Sequence, residues 1–298
     1  MLSFPDGQPL RGDSILSVTL RNDLAPVPCT LEAEILAGDE NIEKRLAEGE
    51  RLITSLGDAF RIVKSVKAVG KTVSGERVQC GFRVTAILDA VFPIALTRSR
   101  AIIKENATLG TLYRLSGARF KGLEGDFPVP RFCCPVGETP TFHFARILQE
   151  EGGVVRWKNG KLKFFNLLDL ARQKPIKTIK GFSSDTVETG FLERHSVPWF
   201  LSVDPSGTVI FGNQKKARAV RFSPFKNGQR LRNMTRCLVR KKVIKLTFDA
   251  RISAGDCIDT VTGEKFIVMT AAHVIETGSD SGGRQNSYSR LWLGQVEE

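Results

Sequence analysis

No apolar run in this 298-residue chain approaches the roughly 20 residues that cross a bilayer, and its opening, MLSFPDGQPLRGD, has no apolar h-region. Neither a membrane anchor nor a secretory leader is read from it, and a chain made and kept in the cytoplasm, or in something assembled there, is expected. The six cysteines (Cys29, Cys80, Cys133, Cys134, Cys237, Cys257) repeat no CxxC spacing, which argues against a zinc site or a disulfide framework and for free thiols. Cys133 and Cys134 with His143 come nearest to a metal-ligand set, but adjacent cysteines chelate poorly, so no metal and no cofactor is expected. Acid is missing over one long stretch: residues 205–248 contain neither Asp nor Glu.

That stretch holds Lys215, Lys216, Arg218, Arg221, Lys226, Arg230, Arg232, Arg236, Arg240, Lys241, Lys242 and Lys245, twelve cations that equal the whole net charge of +12. Such a concentration raises the local potential and favours an anionic partner, either phosphate or a carboxylate-rich protein surface. The alternative is a solvated face whose counter-charges come from elsewhere in the fold. A nucleic-acid-binding β-barrel protein would explain the cations, but it should interleave aromatics for base stacking, and only Phe211, Phe222, Phe225 and Phe248 are available.

A hydrophobic fraction of 41% is enough to bury a sizeable core in two domains, or in one large domain with an insert. Strand-like alternation dominates both ends. SILSVTL (14–20) and CTLEAEIL (29–36) are early strands, and RVQCGFRVTAIL (77–88) places Val78, Cys80, Phe82, Val84, Ala86 and Leu88 on one side. Near the other end, VIKLTFDARI (243–252) puts Ile244, Leu246, Phe248, Ala250 and Ile252 on one face, and SVDPSGTVIF (202–211) reads as strand, turn, strand.

Between these blocks, residues 139–165 (TPTFHFARILQEEGGVVRWKNGKLKFF) predict a helix followed by a hairpin. Thr141 can cap the helix, whose apolar face is Phe144, Ile147 and Leu148, and Gly152 or Gly153 can end it in a left-handed conformation. Asn159-Gly160 predicts a type I′ turn, because both residues tolerate positive φ. Its register sets Trp157 against Leu162 and Val155 against Phe164, with Arg156, Lys158, Lys161 and Lys163 as a cationic opposite side.

Residues 270–283, TAAHVIETGSDSGG, carry two fragments that resemble the histidine and serine segments of trypsin-like proteases. A working triad converges from separate parts of a fold, whereas His273 and Ser281 share one short stretch, and the Asp between them, Asp280, adjoins the serine. KFIVMTAAHVI (265–275) reads instead as one extended strand with Phe266, Val268, Ala272 and Val274 on one face, and residues 278–283 as a loop. VGKTV (69–73) invites a phosphate-loop reading, but Ser65 stands where that loop needs glycine and its lysine would have to open a helix. His143 and His195 have no companion at ligand or triad spacing. No catalytic residue is assigned.

The order of parts, a β-block, a helix-plus-hairpin insert and a second β-block, resembles that of phage baseplate hub proteins of the late-control-D family, related to the N-terminal part of the type VI spike protein VgrG. The similarity is carried by VGETPTFHFARILQEEGGVVRWKNGKLKFF (136–165), by ISAGDCIDTVTGEKFIVMTAAHVIETG (252–278) and by RLAEGERLITSLGDAFRIVKSVK (45–67). It implies a mainly β fold with a small α/β insert: a first β-barrel domain at residues 1–100, the insert at 101–175 and a second β-barrel domain at 176–298. It further implies a homotrimer in the tail baseplate of a virion assembled in the host cytoplasm, joining the hexameric tail tube to a trimeric spike supplied by a separate chain. Tape-measure and baseplate wedge proteins are further expected neighbours, and tight DNA binding is not expected of a ring that DNA must traverse. Under this reading Lys215, Lys216, Arg218, Arg230, Arg232, Arg236, Arg240, Lys241 and Lys242 form a basic surface that docks acidic proteins.

Overall fold

The computed structural model describes residues 2–74, 77–179, 184–186, 197–214, 219–277 and 285–297. The first block comprises β1 (Leu2–Ser3), β2 (Ile15–Asp23), β3 (Cys29–Ala37), α1 (Glu40–Arg45), β4 (Arg51–Thr54), β5 (Ala59–Ser74) and β6 (Arg77–Leu88). The middle of the chain forms β7 (Ile102–Thr108), α2 (Leu109–Leu115), β8 (Gly122–Glu124), β9 (Pro128–Cys134), α3 (Pro140–Glu151), β10 (Gly153–Lys158), β11 (Lys161–Asn166) and α4 (Leu167–Arg172). The remainder forms β12 (Lys177–Ile179), β13 (Ser184–Thr186), β14 (Trp199–Val203), β15 (Val209–Phe211), β16 (Val220–Phe222), α5 (Gly228–Thr235), β17 (Cys237–Thr247), β18 (Cys257–Thr260), β19 (Lys265–Glu276) and β20 (Asn286–Glu297). The fold is mainly β with a small α/β insert, as the sequence pattern led one to expect.

The two end blocks share one sheet. Its main path runs β1-β4-β5-β6-β3-β2-β19-β20-β17-β13, so β2 of the first block pairs antiparallel with β19 of the last, from Thr270 opposite Asp23 to Glu276 opposite Ser17. A large core lies under the first block and continues into the insert: Val84, Ala86 and Leu88 of β6 are buried with Phe60 and Ile62, and Tyr113, Phe144 and Phe132 of the insert join the same cluster. Tyr113 stacks on Phe144 with ring centroids 4.3 Å apart, and its hydroxyl donates to the Pro26 carbonyl across 3.2 Å. A separate cluster of Ile244, Ile252, Ile258, Phe266, Val268, Ala271, Leu291 and Leu293 fills the last block.

VGKTV lies within β5, extended where a phosphate loop would open a helix. In the last block, β17 stops at Thr247, short of the expected Ile252, because Asp249 turns the chain: its Oδ1 accepts from the Arg251 amide and guanidinium, and its own amide donates to Ser289 Oγ. The strand over 265–275 is present, but its faces differ from strict alternation. A bulge between Val268 and Thr270 shifts the register against β20, so that Ala271 joins the cluster of Phe266 and Val268, while Ala272, also buried, does not. Gly294 of β20 stands opposite both Arg240 and Ile267, beside the β17 bulge, and an added Cβ there would meet the Val239 carbonyl at 2.8 Å.

The helix and hairpin of the insert follow the expected register. α3 begins two residues before the expected cap: Thr139 rather than Thr141 is the N-cap, without a side-chain capping bond, Pro140 occupies the first turn, and the Thr141 hydroxyl donates to Thr139 Oγ1. Gly152 closes it at φ 59°, ψ 36°. Asn159 and Gly160 have φ of 54° and 72°, and Trp157 pairs with Leu162 and Val155 with Phe164.

Candidate interaction surfaces

The cationic side of the hairpin is paired with acids, and its first residue, Arg156, is buried. Arg156 Nη2 donates to Asp256 Oδ1 over 3.1 Å, while Lys158 Nζ reaches both Asp256 oxygens at 2.7 and 2.8 Å. The Ser253 amide donates to Oδ2 of the same carboxylate at 2.9 Å. Lys161 and Lys163 both pair with Glu124 of β8. Each cation of this side therefore meets an acid from another part of the chain, and the buried Asp256 cluster ties the insert to the last block. The adjoining Gly255 has φ 83°, and an added Cβ would lie 2.9 Å from Arg156 Cδ, so this Gly-Asp pair is shaped to receive the arginine.

His273 is likewise spoken for. It is buried on β19, with Nε2 2.9 Å from the Ile252 carbonyl and Nδ1 2.9 Å from Ser289 Oγ. A carbonyl can only accept, so Nε2 carries the hydrogen, and the neutral ring accepts from Ser289, whose oxygen in turn accepts from the Asp249 amide. Burial holds the histidine below its ordinary pKa. Both nitrogens serve the packing of β19, β20 and the turn at 249–252, leaving neither for a serine nucleophile. Ser281 and Asp280 lie outside the described residues, as does His195. His143 contacts Glu138 Oε2 at 2.5 Å, and among the described residues no group of three His, Cys, Asp or Glu is placed to hold a metal ion.

The acid-free segment divides between two places. Lys215, Lys216 and Arg218 lie outside the described residues. Around α5, Arg230 donates to Glu151 Oε1 at 2.7 and 3.0 Å, Lys226 pairs with Glu150 at 2.6 Å, Arg232 Nη2 donates to Gln229 Oε1 and Arg236 Nη1 to Asn233 Oδ1. On β17, Lys241 pairs with Glu297 at 3.1 Å and Lys242 with Glu264 at 2.9 Å, while Arg240 is exposed. Counter-charge from α3, β20 and the turn before β19 thus meets several of the cations, the second of the two readings drawn from the sequence.

An unexpected surface begins just before this segment and runs into it. β14, β15 and β16 form a small sheet in the order β15-β14-β16. Phe200 and Ser202 of β14 point to one side, where Phe200 packs with Ile210 and with Leu231 and Met234 of α5. Trp199, Leu201 and Val203 take the other side, and the register sets Val220 beside Trp199, Phe211 and Phe222 on either flank of Leu201, and Val209 beside Val203. Val203, Val209, Phe211, Val220 and Phe222 are 38–59% exposed. The sheet is mixed, β14 pairing antiparallel with β15 and parallel with β16, and its outer face of seven apolar side chains reverses the polar pattern usual for a solvated sheet face. SVDPSGTVIF predicts the turn between β14 and β15, which Asp204 closes by accepting from the amides of Ser206 and Thr208. The alternation of that sequence, however, does not say which face α5 covers.

No protein-family model matches the chain, and no curated protein matches it in sequence. Its fold does match solved structures over nearly its full length. One is a tail protein from Neisseria meningitidis MC58, with TM-score 0.66 and 12% identity over 99% of this chain and 95% of that one. Another is the 43 kDa tail protein of prophage MuSo2 from Shewanella oneidensis, with TM-score 0.62 and 13% identity over 98% and 97% of the two chains. A third is the E. coli c3393 protein, a type VI secretion component described as structurally similar to the T4 tail proteins gp27 and gp5, with TM-score 0.60 and 13% identity over 100% of this chain and 77% of that one.

Proposed function

We propose that, with the fold of these tail proteins, the chain is a structural subunit of a phage-type tail, the central hub of a contractile baseplate. The observation that carries this reading is the match of the whole architecture, both β blocks and the insert together, to tail proteins of similar length. In this role three copies form a ring between the tail tube and a separate central spike, with tape-measure and wedge proteins as further neighbours, in a virion assembled in the host cytoplasm. The work is mechanical, and no catalytic group is assigned. The late-control-D affiliation belongs to the same proposal. The continuous sheet supports it physically: pairing β2 to β19 lets load pass between the chain's two ends through backbone hydrogen bonds rather than through a linker.

The basic residues Lys215, Lys216, Arg218, Arg230, Arg232, Arg236, Arg240, Lys241 and Lys242 are proposed to steer acidic neighbours onto the hub. Their ion pairs limit how this can be tested. Glutamate in place of Lys241 or Lys242 would face Glu297 or Glu264, so reversing them disturbs the fold as well as the surface. Native mass measurement is the direct test of the hub reading. The expected species has three times the mass of one chain, and a strictly monomeric protein over the micromolar range would overturn it.

A further inference from the structure

We infer that His273 is an acid-sensitive latch for the turn at residues 249–252: the neutral ring holds that turn against the sheet, and the protonated ring releases it. Among the described residues, no backbone hydrogen bond ties 249–252 to another element; the one such bond they make, from the Ile252 amide to the Asp249 carbonyl, is internal. Two side chains of the sheet hold the turn instead. His273 of β19 donates from Nε2 to the Ile252 carbonyl, and Ser289 Oγ of β20 accepts from the Asp249 amide, both over 2.9 Å. Lys177 of β12 adds an ion pair to Asp249 at 2.9 Å. The turn also has room to move. Ala250 and His273 line two hollows of about 210 and 280 Å³, one bounded by Ile15, Leu31 and Phe248, the other by Asp58, Trp157 and Arg251.

The proton breaks the latch because the three groups are matched only while the ring is neutral. Nδ1 then accepts the Ser289 hydroxyl, whose oxygen takes the Asp249 amide. A proton on Nδ1 turns that acceptor into a donor. Ser289 Oγ has a lone pair left for it, but the hydroxyl hydrogen loses its acceptor, and Ser289 is 0% exposed. A buried orphan hydroxyl and a buried imidazolium both weigh against the closed turn. The acid that acts on the ring is Asp249, and its carboxylate is already shared by Arg251 and Lys177. In the second hollow Asp58 receives the Trp157 indole, Lys158 is held by Asp256, and burial keeps the Cys29 thiol protonated. Arg21 and Arg290 stand opposite Ala272 and so project from the other face of the sheet. Opening the turn into the hollows lets water reach the charged ring while the β19 and β20 ladders stay paired, a local rather than global transition. Ile252, packed in the core of the last block, closes the turn again at neutral pH. The latch works within one chain and does not depend on the hub role.

The test is peptide-resolved hydrogen exchange on the full chain from pH 7 to pH 5, corrected for intrinsic rates. Protection over 248–253 is expected to fall by up to about tenfold per pH unit below 6.5, one proton's worth, while 266–272 and 288–294 keep theirs. Fluorescence of the uncharged dye Nile red should rise over the same range, because an open turn joins two apolar hollows. His273→Gln keeps a donor for Ile252 but cannot charge, and both signals should then stay flat. Unchanged protection over 248–253, an equal loss in the flanking strands, or a pH response that survives His273→Gln would overturn the latch. Should that variant not fold, the wild type decides: a dye signal that rises without a loss confined to 248–253 overturns it equally.

Discussion

Replacing Asp256 with alanine should be among the most damaging single changes available to this chain. Its carboxylate receives Arg156 Nη2, Lys158 Nζ and the Ser253 amide, and it is 3% exposed. Lys158 keeps partial access to water and can turn outward when the acid is gone. Arg156 cannot: its side chain is 5% exposed, and among the described residues its Nε and Nη1 already find no hydrogen-bond partner. Asp256→Ala therefore strands a buried guanidinium, which costs about 3–5 kcal/mol. For a chain of this size that corresponds to a fall in Tm of roughly 6–10 °C, at about 2 °C per kcal/mol. Urea unfolding followed by tryptophan fluorescence suits the measurement, because Trp157 lies between the two cations and donates to Asp58 at 2.8 Å. The double variant Arg156→Met with Asp256→Leu removes both buried charges together and should cost less than Asp256→Ala alone. A loss below about 1 kcal/mol for Asp256→Ala, or a double variant worse than the single, would refute the stranded-charge reasoning.

Glycine substitutions separate conformational from steric cost. Gly160→Val meets no atom within 4 Å but must hold φ near 72°, so about 1–2 kcal/mol is expected in denaturant titration. Gly125→Ala combines φ 68° with a Cβ pressed on the Phe164 carbonyl oxygen and should cost about 2–4 kcal/mol. His273 gives a pH dependence whose sign follows from its lowered native pKa. Below the ordinary value of 6.5 the unfolded chain takes up a proton that the native state resists, so stability is full near pH 7 and falls toward pH 5 by at most about 1.4 kcal/mol per unit. His273→Gln, which keeps a donor for Ile252 but cannot charge, should flatten this part of the Tm profile, and an unchanged slope would remove His273 as its source. Asp58 runs the other way: burial raises its pKa, so the ionised form at pH 7 is unfavourable, and Asp58→Asn should raise Tm at pH 7 with the gain vanishing toward pH 4.

By itself the sequence determined the local structure. Alternation located β6 and β19, and the Asn-Gly pair fixed the hairpin turn together with its register, because positive φ and a period of two are properties of a few adjacent residues. It also placed the helix of the insert and the glycine that ends it. Only the tertiary structure decided what each face meets. The sequence showed the hairpin's cationic side but not its partners: the chain brings Asp256 and Glu124 against it from about a hundred and about forty residues away respectively. Alternation put Ala272 with Phe266 and Val268, but the bulge in the pairing of β19 with β20 brings Ala271 into their cluster instead. Residues 202–211 read as strand, turn, strand, but α5 covers only one side of the sheet they join, and which side a helix covers is settled by packing at long range, on which the alternation of three short strands is silent.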